Sequence, residues 1–113
     1  MKIVSTDRSH ALKFDDAAVV GDSYRLAIVD GLSETFRASV HYFEDGATNI
    51  LHKHTGDQII FIIDGEGVVK TETEEVFVKK DDAVFFPAGE IHSHCARPGH
   101  SMAQFGILSV KPG

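Results

Sequence analysis

Hydrophobic and polar residues alternate along most of this chain with a period of two, which is typical of β-strands that are buried on one face. The alternation is clearest in residues 35–43, TFRASVHYF, and it recurs in residues 25–29, RLAIV. In the first segment one face carries Phe36, Ala38, Val40 and Tyr42, and the other carries Arg37, Ser39, His41 and Phe43. No segment shows the 3.6-residue period of an amphipathic helix, so we predict strands.

The second half of the chain continues this pattern. Residues 58–82 begin with a run rich in β-branched residues, which predicts a strand. We predict a turn at Gly65-x-Gly67 and a bend at the Glu-rich residues 72–75. The run AVFFP must end at Pro87, because proline cannot donate to a strand ladder. IHSHCA, a Pro98-Gly99 turn and SMAQFGILSV complete the chain. Eight to ten short strands with tight turns predict a β-sandwich or β-barrel.

Composition limits the number of domains and the kinds of partner. The 113 residues are enough for a single domain, 1–113, with one compact site. The net charge is −6 and no Lys/Arg cluster is present, which argues against binding to nucleic acids or anionic membranes. The longest apolar runs fall well short of a membrane span, and Met1-Lys2-Ile3 leads into a polar stretch. Together with the single cysteine, Cys95, which we expect to be packed in the interior, this predicts a cytoplasmic protein.

Histidines supply the candidate chemistry. His52 and His54 are two residues apart, so on an extended strand both imidazoles point to one face, and Gln58 and His92 can complete a set of ligands. Any one of these histidines is more simply explained as a hydrogen-bonded side chain, but their combination is not. Imidazoles in this arrangement suit Zn, Fe, Ni and Cu, so we predict a divalent metal site. The remaining histidines have no partner at ligand spacing and are expected to be surface or loop residues: His10, His41 and His100.

These residues resemble the two motifs of the cupin superfamily. The first motif, G-x5-HxH-x3-E-x6-G, is matched by Gly46, His52, His54, Gln58 and Gly65, with Gln in place of Glu. The second motif, G-x5-PxG-x2-H-x3-N, is matched by Pro87, Gly89 and His92, with Asp81 and Ala96 in place of its glycine and asparagine. The resemblance implies an all-β fold, the single-domain cupin jelly-roll barrel or double-stranded β-helix.

Gln58 is the departure with chemical meaning. Cupins that resemble quercetin dioxygenase carry Glu here, which can ligate a metal and accept a proton, whereas an amide has no basic site at neutral pH. A neutral ligand also leaves the ion its full charge, which favours an anionic or carbonyl-bearing ligand in the open positions. Sugar phosphates are disfavoured, because no Arg/Lys clamp or Gly-rich phosphate loop is visible near the site.

HxHxxxQ followed by PAGEIHSHCA is similar to one group of small bacterial single-domain cupins, which includes manganese-dependent hydroxynitrile lyases and carboxymuconolactone decarboxylase-like proteins. This resemblance implies that His52, His54, Gln58 and His92 bind the metal, Mn, Fe, Ni or Zn. It places His94 in the same cavity as a catalytic acid, base or substrate anchor, or else as a histidine hydrogen-bonded to the barrel wall. Lyases of that group carry a proton-transferring histidine late in the chain, where this sequence has Gln104, which can hold a substrate oxygen but cannot shuttle a proton.

The remaining cavity lining is expected to be apolar. Alternation turns Ile60 and Ile62 to the side of Gln58, and Val40 and Tyr42 are further candidates for the lining. We expect Gln104, Ile60 and Tyr42 to contact the substrate. For each apolar candidate, an ordinary place in the barrel core is the alternative.

The sequence therefore predicts a metal-dependent cupin that binds a small oxygen-bearing metabolite and performs Lewis-acid lyase, isomerase or decarboxylase chemistry. Two alternatives stay open: an Fe-dependent dioxygenase of the quercetinase type, and a module that binds a small molecule without turnover. The resemblance also implies a homodimer, which we expect to form through the N-terminal segments KIVS and RLAIV.

Overall fold

The computed structural model describes residues 1–16 and 18–110. These residues form ten β-strands and one turn of 3-10 helix, Arg8–His10, and they contain no α-helix. No helix among them is long and apolar enough to cross a membrane. The strands are β1 (Leu12–Lys13), β2 (Val19–Val20), β3 (Ser23–Val29), β4 (Phe36–Phe43), β5 (Thr48–Asn49), β6 (Gln58–Thr71), β7 (Glu75–Lys79), β8 (Ala83–Phe86), β9 (His92–Ala96) and β10 (Met102–Ser109).

Two antiparallel layers share the long strand β6. Its first half pairs with β10 and β8, and through β10 it joins β4, β3 and β1 in the larger layer. Its second half pairs with β7 and β9 in the smaller layer, and β5, which pairs with β2, lies beside β9. Apolar side chains from both layers meet in one core that includes Phe43, Ile60, Ile62, Val69 and Met102. The predicted all-β jelly-roll barrel is confirmed.

The turn predicted at Gly65-x-Gly67 is wrong, because β6 runs straight through it. Both glycines are instead places of close approach to β10 and the residue before it. A Cβ on Gly65 would lie 2.0 Å from the carbonyl oxygen of Ser101, and one on Gly67 would lie 2.7 Å from Sδ of Met102. The pairing with β10 also shifts register between Ala103 and Gln104. The absence of side chains at Gly65 and Gly67 therefore leaves room for Ser101 and Met102 where β6 passes from one layer to the other.

Alternation on β6 separates core from surface as predicted. Ile60 and Ile62 are 0% and 2% exposed, whereas Phe61 and Ile63, on the opposite face, are 40% and 42% exposed. Phe85 of β8 lies on the same outer face and is 59% exposed. The larger layer therefore presents apolar side chains outward.

The two segments predicted to form a dimer interface differ in secondary structure. Residues 2–5, KIVS, belong to no strand, whereas RLAIV lies within β3. β1 pairs only with Tyr24 and Arg25, so within the described residues the rest of that edge of β3 is unpaired.

Candidate metal centre

Three histidines meet where the segment after β5 lies against β9. His52 and His92 pair through two backbone hydrogen bonds: His52 N donates to His92 O at 2.9 Å, and His92 N donates to His52 O at 2.8 Å. His54 follows on the same side, as period-two spacing predicts. One ring nitrogen from each of the three lies within 4.8 Å of the others. The predicted cluster of imidazoles is therefore present.

Backbone carbonyls orient two of these rings. Nδ1 of His52 lies 2.8 Å from the carbonyl oxygen of Ile50, and Nδ1 of His92 lies 3.0 Å from that of Glu90. Only a protonated nitrogen can donate to a carbonyl, so in both neutral rings Nε2 carries the free lone pair. This is the arrangement in which protein histidines bind metals. The ring of Phe86 also stacks on His92, with 4.0 Å between centroids, and holds it from behind.

Gln58, the first residue of β6, adds a fourth donor. Its Oε1 lies 3.1 Å from Nε2 of His92. With Nδ1 of His92 donating to Glu90, these two atoms both present lone pairs, which a cation between them would satisfy. Three imidazole nitrogens and a carboxamide oxygen are ligands that a divalent transition ion accepts, so this donor set fits such an ion.

Burial favours the neutral form of two of these histidines, His54 and His92. It lowers the pKa of His54 to about 4, and the neighbouring His52 and His92 and the positive charge of Arg37 act in the same direction. Burial also lowers the pKa of His92, against the opposing effect of its hydrogen bond to Glu90. Imidazoles that are unprotonated at neutral pH do not have to lose a proton before they bind a metal.

A cavity of about 420 Å³ opens beside the cluster. His94 and Gln104 both line it, as predicted, and they are 5% and 3% exposed. The ring centroid of His94 lies 5.7 Å from that of His52. Neither ring nitrogen of His94, nor Oε1 of Gln104, has a hydrogen-bond partner among the described residues. Burial, reinforced by the surrounding histidines, holds the pKa of His94 well below its usual range, so its ring is neutral.

Several polar residues of this cavity were missed by the sequence analysis. His41 was expected at the surface, but it lies in the lining, with Nε2 3.2 Å from Oγ of Ser23 and its ring stacked on Phe43. Burial lowers the pKa of His41 to about 4, and the charge of Arg25 adds to this effect. Arg25 and Arg37 also line the cavity, although no cationic side chain was expected there. Arg37, Ser39 and His41 lie on one face of the strand in the sequence pattern, and the structure shows that this polar face lines the cavity.

The four apolar residues predicted for the lining lie elsewhere: Val40, Tyr42, Ile60 and Ile62. Tyr42 is on the outer face of β4, where the guanidinium of Arg8 lies 4.9 Å from its ring centroid, and Val40 shares that face. Ile60 faces inward, but it is 0% exposed within the core beneath the cavity. Neither Tyr42 nor Ile60, both predicted to contact the substrate, therefore lines this cavity. The apolar face of β4, on which Ala38 and Val40 are buried, packs away from the cavity, and its polar face lines the cavity.

A sequence model described as a cupin domain matches residues 39–110 of the chain. An uncharacterised protein of Methanocaldococcus jannaschii is 25% identical over 95 residues, which cover 81% of this chain and 74% of that protein.

Solved structures extend the likeness in fold. A cupin-like protein of Thermotoga maritima superposes with a TM-score of 0.84 at 26% identity, covering 89% of this chain and 79% of that one. A predicted oxalate decarboxylase of the same organism gives 0.80 at 19% identity, covering 89% and 92%. A polyketide cyclase of Streptomyces resistomycificus gives 0.81 at 14% identity, covering 97% and 81%. At such identities the last two show the shared fold alone.

Proposed function

Because the chain belongs to the cupin domain family, we propose that it is a metal-dependent cupin that binds and converts a small oxygen-bearing metabolite. The single observation that carries this proposal is the convergence of three imidazoles, with ring nitrogens within 4.8 Å, beside a polar cavity. His52, His54, His92 and Gln58 would hold the ion. When bound, a divalent ion of this kind supplies Lewis-acid polarisation of a substrate oxygen.

The chain's own residues favour lyase, isomerase or decarboxylase chemistry. Both ring nitrogens of buried His94 lack hydrogen-bond partners among the described residues, so the ring can hydrogen-bond to a substrate and relay a proton to or from it. Gln104 presents an unpartnered carboxamide oxygen that can hold a substrate hydroxyl. Gln58 cannot serve as a base. Decarboxylation is also the reaction named for one protein of this fold, the predicted oxalate decarboxylase.

Turnover without dioxygen tests this function. Protein loaded anaerobically with Mn²⁺, Ni²⁺ or Zn²⁺ would be incubated with small hydroxy and oxo acids, and the products followed by proton NMR. We expect conversion of at least one compound without oxygen, and its loss in His94→Gln protein that still binds the metal. Conversion that requires iron and consumes dioxygen would contradict the proposal, and binding of every compound without change would replace it with a binding module.

We also propose that the protein is a homodimer. The outward-facing Phe61, Ile63 and Phe85, together with the unpaired edge of β3, offer an apolar surface and a strand edge that a second copy can cover. Sedimentation velocity should give twice the 12.3 kDa of the chain. A monomer at tens of micromolar protein would contradict it.

A further inference from the structure

We propose that the ligand of this cavity is a small organic acid, with one oxygen-bearing group at the histidine cluster and a distal carboxylate bound by Arg37. The inference rests on the proposed function, because it names the substrate class of the same site. It depends on where Arg37 lies, on the charges around it and on the polar groups of the cavity.

Strand register places the exposed Arg37 two strands away from Gln58 on the same wall of the cavity. Arg37 on β4 is opposite Leu108 on β10, which is opposite Gln58 on β6, and all three line the same cavity. Adjacent strands are about 4.8 Å apart, so the two outer backbones are separated by roughly 10 Å. The extended side chain of an arginine spans much of that distance. A ligand a few carbons long can therefore reach both the cluster and the guanidinium.

Arg25 and Arg37 are the two cations of this lining, and only Arg25 has an ion-pair partner among the described residues. Arg25 is paired with Asp30, with 3.6 Å between Nη1 and Oδ2. Asp16 also lines the cavity, and its Oδ1 accepts a hydrogen bond from the backbone N–H of Ala18 at 2.8 Å instead of pairing with Arg37. Among the residues that the structure describes, Arg37 has no ion pair within 4.0 Å. In a chain with 17 acidic and 11 basic residues, such a cation at a cavity mouth attracts an anion.

The rest of the lining limits the kind of anion. The unpartnered groups of His94 and Gln104, which are 95% and 97% buried, require hydrogen-bonding groups on the ligand. A guanidinium binds a carboxylate through two parallel hydrogen bonds. One free cation, with no α-helix N-terminus among the described residues to assist it, suits a carboxylate better than a phosphate. A volume of about 420 Å³ holds a small acid.

Binding to the cobalt-loaded protein tests the inference. Malonate, succinate and glutarate would each be compared with their monomethyl esters, which keep one carboxylate for the ion but lose the charge of the distal one. Calorimetry gives the affinities, and the visible absorption of Co²⁺ reports on ligands at the ion. We expect at least one acid to bind about tenfold or more tightly than its ester. Arg37→Gln should abolish this preference while loading cobalt as the wild type does, and Arg37→Lys should retain part of it.

Arg8→Gln is the matched control, because Arg8 is an exposed arginine on the outer face of the barrel, paired with Glu44. This variant should keep the wild-type preference. If the wild type binds cobalt but Arg37→Gln keeps the same acid-to-ester ratio, the role of Arg37 is overturned and the proposed function stands. If no acid binds to the cobalt-loaded protein, the substrate class is overturned. If the wild type takes up no metal, the proposed function fails and this inference fails with it.

Discussion

The carboxamide oxygen of Gln58 lies 3.1 Å from Nε2 of His92, on the side of the ring away from the Glu90 carbonyl to which Nδ1 donates. The two atoms come from different strands, β6 and β9. Gln58 therefore adds a possible fourth ligand atom to three imidazoles whose ring nitrogens lie within 4.8 Å of one another. The first cupin motif has a carboxylate at this position, where the chain has the carboxamide of Gln58.

Replacing Gln58 should tune the affinity for metal in both directions. Gln58→Glu adds a negative charge to the donor set, so we expect the dissociation constant for Zn²⁺ to fall by about tenfold or more. Gln58→Ala removes a ligand and should weaken binding by about tenfold or more. Competition against a chromophoric chelator measures both values. Thr55→Glu, which places the same charge on an exposed residue beside His54, is the control, and an equal gain in that variant would exclude ligation by residue 58.

The metal-free protein should lose stability as the pH falls from about 6.5 towards 4. The folded state holds the pKa of His41 near 4, below its ordinary 6.5, so the unfolded chain takes up the proton first. The contribution of His41 is complete above pH 6.5 and has an upper limit of about 3 kcal/mol. Urea unfolding at a series of pH values should show a shallower decline in His41→Gln. The exposed His10→Gln is the control, and parallel curves for wild type and His41→Gln would contradict this account.

Asp81 is expected to be a strained position. It has a φ of +79°, in the left-handed region, at the place where the second cupin motif has glycine. Asp81→Gly should therefore raise the free energy of unfolding by about 0.5 to 1 kcal/mol, because glycine adopts this conformation without steric cost. Asp81→Ala removes the same charge but keeps the Cβ, and it should give no gain. Chemical denaturation measures both variants, and equal stabilisation would assign the effect to charge.

Two glycines separate steric crowding from backbone conformation. Gly46 and Gly65 both have positive φ, +69° and +75°, but a Cβ on Gly46 meets nothing within 4 Å, whereas one on Gly65 would lie 2.0 Å from Ser101 O. Gly46→Ala should cost about 1 kcal/mol, and Gly65→Ala about 2 to 4 kcal/mol. Thermal unfolding compares the two variants. Equal losses would show that Gly65 is required only for its conformation.

The histidine cluster was predictable from the sequence because it depends on local spacing and on a motif. The two-residue interval of His52 and His54 fixes their common side, and the motif match brings in Gln58 and His92. The walls of the cavity were not predictable in the same way. Alternation on β4 separates His41 from Tyr42, but it cannot say which face turns inward.

The error on β4 has a physical origin. Its more apolar face, with Ala38 and Val40 buried, packs on the side away from the cavity, and its polar face lines the cavity. The Gly65-x-Gly67 sequence failed for a related reason. In a sequence, a glycine required by close packing looks the same as a glycine in a turn. The difference shows only when the contacting residues, here Ser101 and Met102, are placed beside it.

Metal content tests the central claim most directly. Purified protein, dialysed and reloaded, should bind one equivalent of a divalent transition ion by elemental analysis. His52→Ala and His92→Ala should each weaken the affinity by roughly a hundredfold or more, and the exposed His10→Ala should leave it unchanged. A wild-type protein that takes up no stoichiometric metal, or one that binds it equally well without His52 and His92, would contradict the account.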